Sequence, residues 1–121
     1  MAGQVVHLEI PSNDTAKARE FWGGLFGWTF EQYPGPSEYH MTRISEQTGA
    51  AISAETGMGG TRVYFDVDDI KAGAARVKEL GGEAGDAMPV PSMGWFAVCK
   101  DGEGNEFGLW QSDPSAPTPG S

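Results

Sequence analysis

Four side chains in this sequence combine types and spacing that could move a proton or hold an anion: His7, Glu9, Arg62 and Tyr64. His7 and Glu9 stand two residues apart in the strand-like run VVHLEI. An extended chain turns both to one face with Val5, and turns Val6, Leu8 and Ile10 to the other. Arg62 and Tyr64 repeat the arrangement in TRVYFDV, and Gly108 and Trp110 share a face in EFGLWQ. His7, with an ordinary pKa of about 6.5, could shuttle a proton. Arg62 could grip a carboxylate, enolate or phenolate oxygen. Trp110, Trp95 and Met41 could stack on a planar or apolar body. His7 and Arg62 are therefore the candidate catalytic pair. Glu9, Met41, Ser53, Tyr64, Trp95, Gly108 and Trp110 are the candidate ligand-binding residues. Plainer readings stand beside these: a buried Arg62–Glu9 ion pair, a His7 hydrogen-bonded to Tyr64 or Ser53, and tryptophans that only fill a core.

The elements that would carry these residues come in two copies. In the first, Val5 to Ile10 is a strand, Ser12-Asn13-Asp14 offers helix caps, and Ala18, Phe21, Trp22 and Leu25 form an apolar helical stripe stopped by Gly27. Phe21, Trp22 and Trp28 are expected in the core. Strands are expected at Trp28 to Tyr33, Tyr39 to Ile44 and Gly49 to Ala54. In the second copy, Thr61 to Val67 is a strand and Asp68-Asp69 caps a helix with the stripe Ile70, Ala74, Val77 and Leu80. Strands follow at Glu83 to Ser92 (edge-like, because of Pro89 and Pro91), Met93 to Lys100 and Glu106 to Gln111. A shift of 55 without gaps sets His7 on Arg62, Asp14 on Asp69, Gly27 on Gly82 and Gly49 on Gly104. Each copy is βαβββ, at 4–55 and 60–111, and neither could bury its small sheet alone. One domain over 1–111 is expected, with a Pro/Ser/Gly-rich disordered tail at 112–121.

The chain has 121 residues, 39% hydrophobic and 11% aromatic, which is enough for a packed core. A net charge of −9 argues against nucleic acid or an anionic membrane as the main partner. No membrane span or signal pattern is visible, and Cys99 is the single cysteine, expected in the core; a cytoplasmic protein is the default.

The segments HLEIPSNDTAKAREFWGGLFGW, VYFDVDDIKAGAARVKELGG and PVPSMGWFAVCKDGEGNEFGLWQ resemble the vicinal oxygen chelate superfamily, the glyoxalase/bleomycin resistance/dioxygenase group. The resemblance covers 5–111. The ending GNEFGLWQ looks most like a glyoxalase-like branch that includes double-length members. It implies an α+β fold of two tandem βαβββ modules curled into a sheet cup with helices outside, and commonly a homodimer. Metal-dependent members place ligands at positions that the repeat maps to His7, Ser53, Arg62 and Gly108. Only His7 there is a good ligand, and Arg62 brings a permanent positive charge, so no metal and no other cofactor is expected. Gly108 removes bulk where other members hold a carboxylate. The expected function is binding of a small organic molecule in the cup. The alternatives are a metal-independent isomerase or lyase using His7 and Arg62, a metal-dependent lyase or dioxygenase, or an interaction module that kept only the fold.

Overall fold

The computed structural model describes residues 2–118 apart from Pro36, Thr56 and Met58. The chain forms two compact units. One is Val6–Val63; the other joins the N-terminal residues through Val5 to the chain from Tyr64 onward. The boundary falls inside the strand Arg62–Asp66.

In the first unit, β1 (Val5–Pro11) is followed by α1 (Thr15–Phe26), β2 (Glu31–Gln32), β3 (Tyr39–Arg43) and β4 (Gly49–Ser53). The expected strand at 28–33 shrinks to the two residues of β2. The strand order is β2-β3-β4-β1, with β4 parallel to β1 and antiparallel to β3. Asp14 caps α1 by accepting from the Lys17 N–H, and Gly27 ends it at φ 74°, a left-handed conformation that glycine adopts without penalty. The start of the helix is tied to the sheet through Glu38, whose Oε1 accepts from the Thr15 hydroxyl at 2.7 Å and lies 3.3 Å from His40 Nε2. The expected apolar stripe does not all go inward. Trp22 and Trp28 are half-buried, but Phe21, Leu25 and Phe26 are 61%, 58% and 56% exposed. Trp22 stacks on Trp28 at 5.8 Å and Phe26 tilts onto Trp28 at 5.0 Å, so these rings pack on each other along the helix.

In the second unit, β5 (Arg62–Asp66) leads to α2 (Ile70–Glu79), β6 (Glu83–Ala84), β7 (Met88–Val90), β8 (Gly94–Lys100) and β9 (Glu106–Ser112). The order is β5-β9-β8-β6, with β7 also pairing β8. Asp69 Oδ1 accepts from the Lys71 and Ala72 N–H groups, the counterpart of Asp14. Ile70, Ala97, Cys99 and Leu109 form the core, flanked by Val77, Trp95 and Phe107. Cys99 is buried there, and burial raises its thiol pKa, as suits a packing residue. The C-terminal segment is ordered further than expected. The Trp95 indole donates to Asp113 at 3.0 Å, the Ser92 N–H donates to the Ala116 carbonyl, and Ala116 is buried; residues 119–121 lie outside the described set.

The repeat is not free of gaps. β1 and β4 pair with Glu9 opposite Ala51, whereas β5 and β9 pair with Tyr64 opposite Gly108. The shift is 55 from Glu9 to Tyr64 but 57 from Ala51 to Gly108. The same 57 relates the pair Tyr39–Ser53 to Phe96–Trp110. Two extra residues therefore enter before β8. Gly108 corresponds to Ala51 and Trp110 to Ser53, so the equivalence of Ser53 with Gly108 does not hold.

Candidate functional site

The first unit assembles its polar residues on one sheet face, in rows set by strand register. His7, Gly49 and Arg43 make one row, Glu9, Ala51 and Met41 the next, and Pro11, Ser53 and Tyr39 the third. Because β4 contributes only Gly49, Ala51 and Ser53 to this face, long side chains from β1 and β3 can meet across it.

They meet in a continuous chain. His7 Nε2 lies 2.6 Å from the Tyr39 hydroxyl, which donates to Glu9 Oε2 at 2.6 Å. Glu9 Oε1 accepts from Arg62 Nη1 at 3.0 Å, and Arg62 Nη2 donates to Glu55 Oε2 at 3.1 Å. The single phenolic proton goes to Glu9, so Tyr39 must accept from His7, which assigns the neutral tautomer with its proton on Nε2. Burial lowers the His7 pKa below its ordinary value; Glu9 opposes that shift and the Arg43 guanidinium adds to it.

Arg62 is buried and spans two carboxylates. In these two contacts Arg62 acts as a counter-ion to Glu9 and Glu55. His7 bonds to Tyr39, and Ser53 Oγ accepts the Glu55 N–H at 3.1 Å. Met41 lies in the Glu9 row.

The remaining candidates belong to the second unit. Gly108 leaves no space, because a Cβ there would run into the Tyr64 ring, which already fills it. Phe96 meets that ring edge-on at 6.4 Å. Trp110 lies over Gly94 and donates to Ser112 Oγ at 3.1 Å. Trp95 is turned to the α2-side core, the opposite face of β8 from Phe96 and Trp110, so it does not join Trp110 as a stacking surface. Tyr39, Arg43 and Glu55 were missed by the sequence reading. The available signal was the alternation of Gly49, Ala51 and Ser53, which leaves a strip of one strand nearly bare.

Comparison with known proteins settles the family. The model of the glyoxalase-like domain family matches residues 6–110. The chain belongs to that family. This glyoxalase-like domain is 28% identical over 116 residues to the putative glyoxylase CFP32 of Mycobacterium tuberculosis, covering 88% of this chain and 44% of that protein. It is 30% identical over 129 residues to the anthracycline biosynthesis protein DnrV of Streptomyces peucetius, covering 90% of this chain and 47% of that protein. The chain thus spans about half the length of these curated relatives. Among solved structures, a hypothetical protein from Bacillus halodurans superposes with a TM-score of 0.74 at 12% identity, covering 96% and 99% of the two chains. The fold is α+β, that of the glyoxalase/bleomycin resistance/dioxygenase superfamily. No helix among the described residues is long and apolar enough to cross a membrane.

A divalent metal of the superfamily type needs three or four imidazole and carboxylate donors. Among the described residues no three His, Cys, Asp or Glu side chains gather in that way. Glu9, the carboxylate nearest in sequence to His7, is already neutralised by Arg62 and bonded to Tyr39. The donor set does not fit a metal of this kind.

Proposed function

We propose that this glyoxalase-like domain binds a small organic molecule on the β1–β4–β3 face, beside His7, without a metal centre. The observation that carries this reading is the Arg62–Glu9–Tyr39–His7 chain, in which a guanidinium occupies the carboxylate that a metal would otherwise need. It leaves a half-buried imidazole at one end and Met41 alongside as an adaptable apolar contact. Native mass spectrometry of the purified protein, with a metal assay on the same sample, tests it. A copurifying organic molecule whose binding His7→Ala weakens is the expected result. An equimolar transition metal lost in His7→Ala would overturn it. With one cysteine, kept reduced in the core, a cytoplasmic setting suits the protein.

A second reading is proton-transfer chemistry of the isomerase or lyase class. It draws on the 2.6 Å bond between His7 and Tyr39 and on the likeness of fold to a methylmalonyl-CoA epimerase from Mycobacterium tuberculosis, at a TM-score of 0.69 and 14% identity. His7 Nδ1 would be the base, since Nε2 carries the proton given to Tyr39. Turnover that His7→Ala abolishes, with the fold intact, would select this reading over simple binding.

We also propose that a second copy of this chain covers the α1 surface formed by Phe21, Leu25 and Phe26. Three neighbouring apolar side chains, each more than half exposed, are costly in water.

A further inference from the structure

We propose that Arg43 and His7, lying side by side over the bare backbone of Gly49, form an oxyanion subsite that holds a carboxylate or phosphate group of the bound molecule. This rests on the small-molecule reading above and names the chemistry the site selects. The three residues form one cross-strand row. A Cβ placed on Gly49 would stand 3.1 Å from Arg43 Nη1 and 3.5 Å from His7 Nδ1, so the guanidinium and the imidazole both lean over the same spot. Gly49 has no positive φ, so backbone conformation does not demand glycine there; what its missing side chain leaves is the spot beside Arg43 Nη1 and His7 Nδ1.

Arg43 is one of the cations left without a carboxylate among the described residues, as are Lys17 and Arg19. In a chain of net charge −9, Arg62 is shared by Glu9 and Glu55, and Arg76 pairs with Glu79. Arg43 is exposed and forms no ion pair among the described residues. One arm, Nη2, is steadied by the Glu46 carbonyl at 3.2 Å. That anchor fixes the guanidinium plane while keeping Nη1 on the His7 side, an arrangement suited to a planar or tetrahedral oxyanion.

The imidazole makes the subsite sensitive to pH. His7 faces Glu9 on its own strand and Tyr39 and Arg43 on β3; β4 presents only Gly49 in that row. Protonation at Nδ1 leaves the Nε2–H bond to Tyr39 in place, so the network survives it. An oxyanion between Nδ1 and Arg43 offsets the guanidinium's repulsion and favours the imidazolium. Binding therefore takes up a proton and tightens as pH falls.

Inorganic sulfate, whose charge is constant near neutrality, is the probe. Its binding is followed through the His7 imidazole nitrogens by NMR at constant ionic strength. Wild type should show saturable shifts at His7 that strengthen as pH falls. Arg43→Met should weaken them about tenfold, the loss of one charge-assisted bond, with Arg43→Lys between the two and Arg19→Met like wild type. Equal sulfate affinity in wild type and Arg43→Met would overturn the proposal. If sulfate leaves His7 unperturbed while neutral aromatic fragments shift it, the oxyanion subsite falls and the small-molecule reading stands. If neither class of probe reaches His7, both fall.

Discussion

Arg62 Nη1 and Glu9 Oε1 are 3.0 Å apart, and the two side chains retain only 8% and 11% of their exposure. Removing the cation alone strands a buried carboxylate. Arg62→Met should therefore destabilise the protein by roughly 3–5 kcal/mol, measured by urea unfolding. The double replacement Arg62→Met with Glu9→Leu should cost less than the single one, because both charges then leave together. A double variant worse than the single would show that the pair is not coupled in this way.

The His7 proton should report its surroundings. Its pKa lies below the ordinary 6.5 because burial disfavours the charged ring. Since the folded value is lowered, the unfolded chain binds the proton more readily. Stability should be unaffected by His7 above about pH 7 and decline as pH falls through 6.5 toward the folded pKa. An NMR titration should place the midpoint below 6.5, moved further down by Glu9→Gln and back up by Arg43→Met. A wild-type midpoint above 6.5 would contradict the geometry described.

Tyr39 bridges His7 and Glu9 through its hydroxyl. Tyr39→Phe removes the donor to Glu9 and the acceptor for His7 at once. It should cost about 1–3 kcal/mol and release the His7 tautomer, visible as a changed balance of the two imidazole nitrogen shifts. Unchanged shifts would mean that something other than Tyr39 sets the tautomer.

Gly108 is a packing requirement, not a cavity. Gly108→Ala drives a methyl group into the Tyr64 ring and should cost about 1–3 kcal/mol in thermal or urea unfolding. Combining it with Tyr64→Leu should recover part of that loss. Full tolerance of the single alanine would argue that the ring moves freely.

Phe21, Leu25 and Phe26 set the expected assembly. Light scattering on a sizing column should give a dimer for wild type and a monomer for Phe21→Ser with Leu25→Ser, with the far-UV spectrum retained. A monomeric wild type would remove the second copy from the α1 face.

The sequence alone determined what depends on local period and local chemistry. Two-residue alternation placed His7 and Glu9 on one face of β1, and Phe107 and Leu109 toward α2. Side-chain caps at Asp14 and Asp69 and the left-handed Gly27 fixed where the helices begin and where the first one ends. Those signals travel with the residues themselves, so the elements and the family were legible. The tertiary structure decided whatever depends on how remote strands are matched. The two residues added before β8 moved Gly108 opposite Tyr64, because a register is set by the chain between strands and not by any one residue. Tyr39 entered the polar chain only because β4 lies between β1 and β3 with almost no side chain in the way. The helical period of α1 marked an apolar face, but period alone cannot say whether sheet, solvent or another chain lies against it.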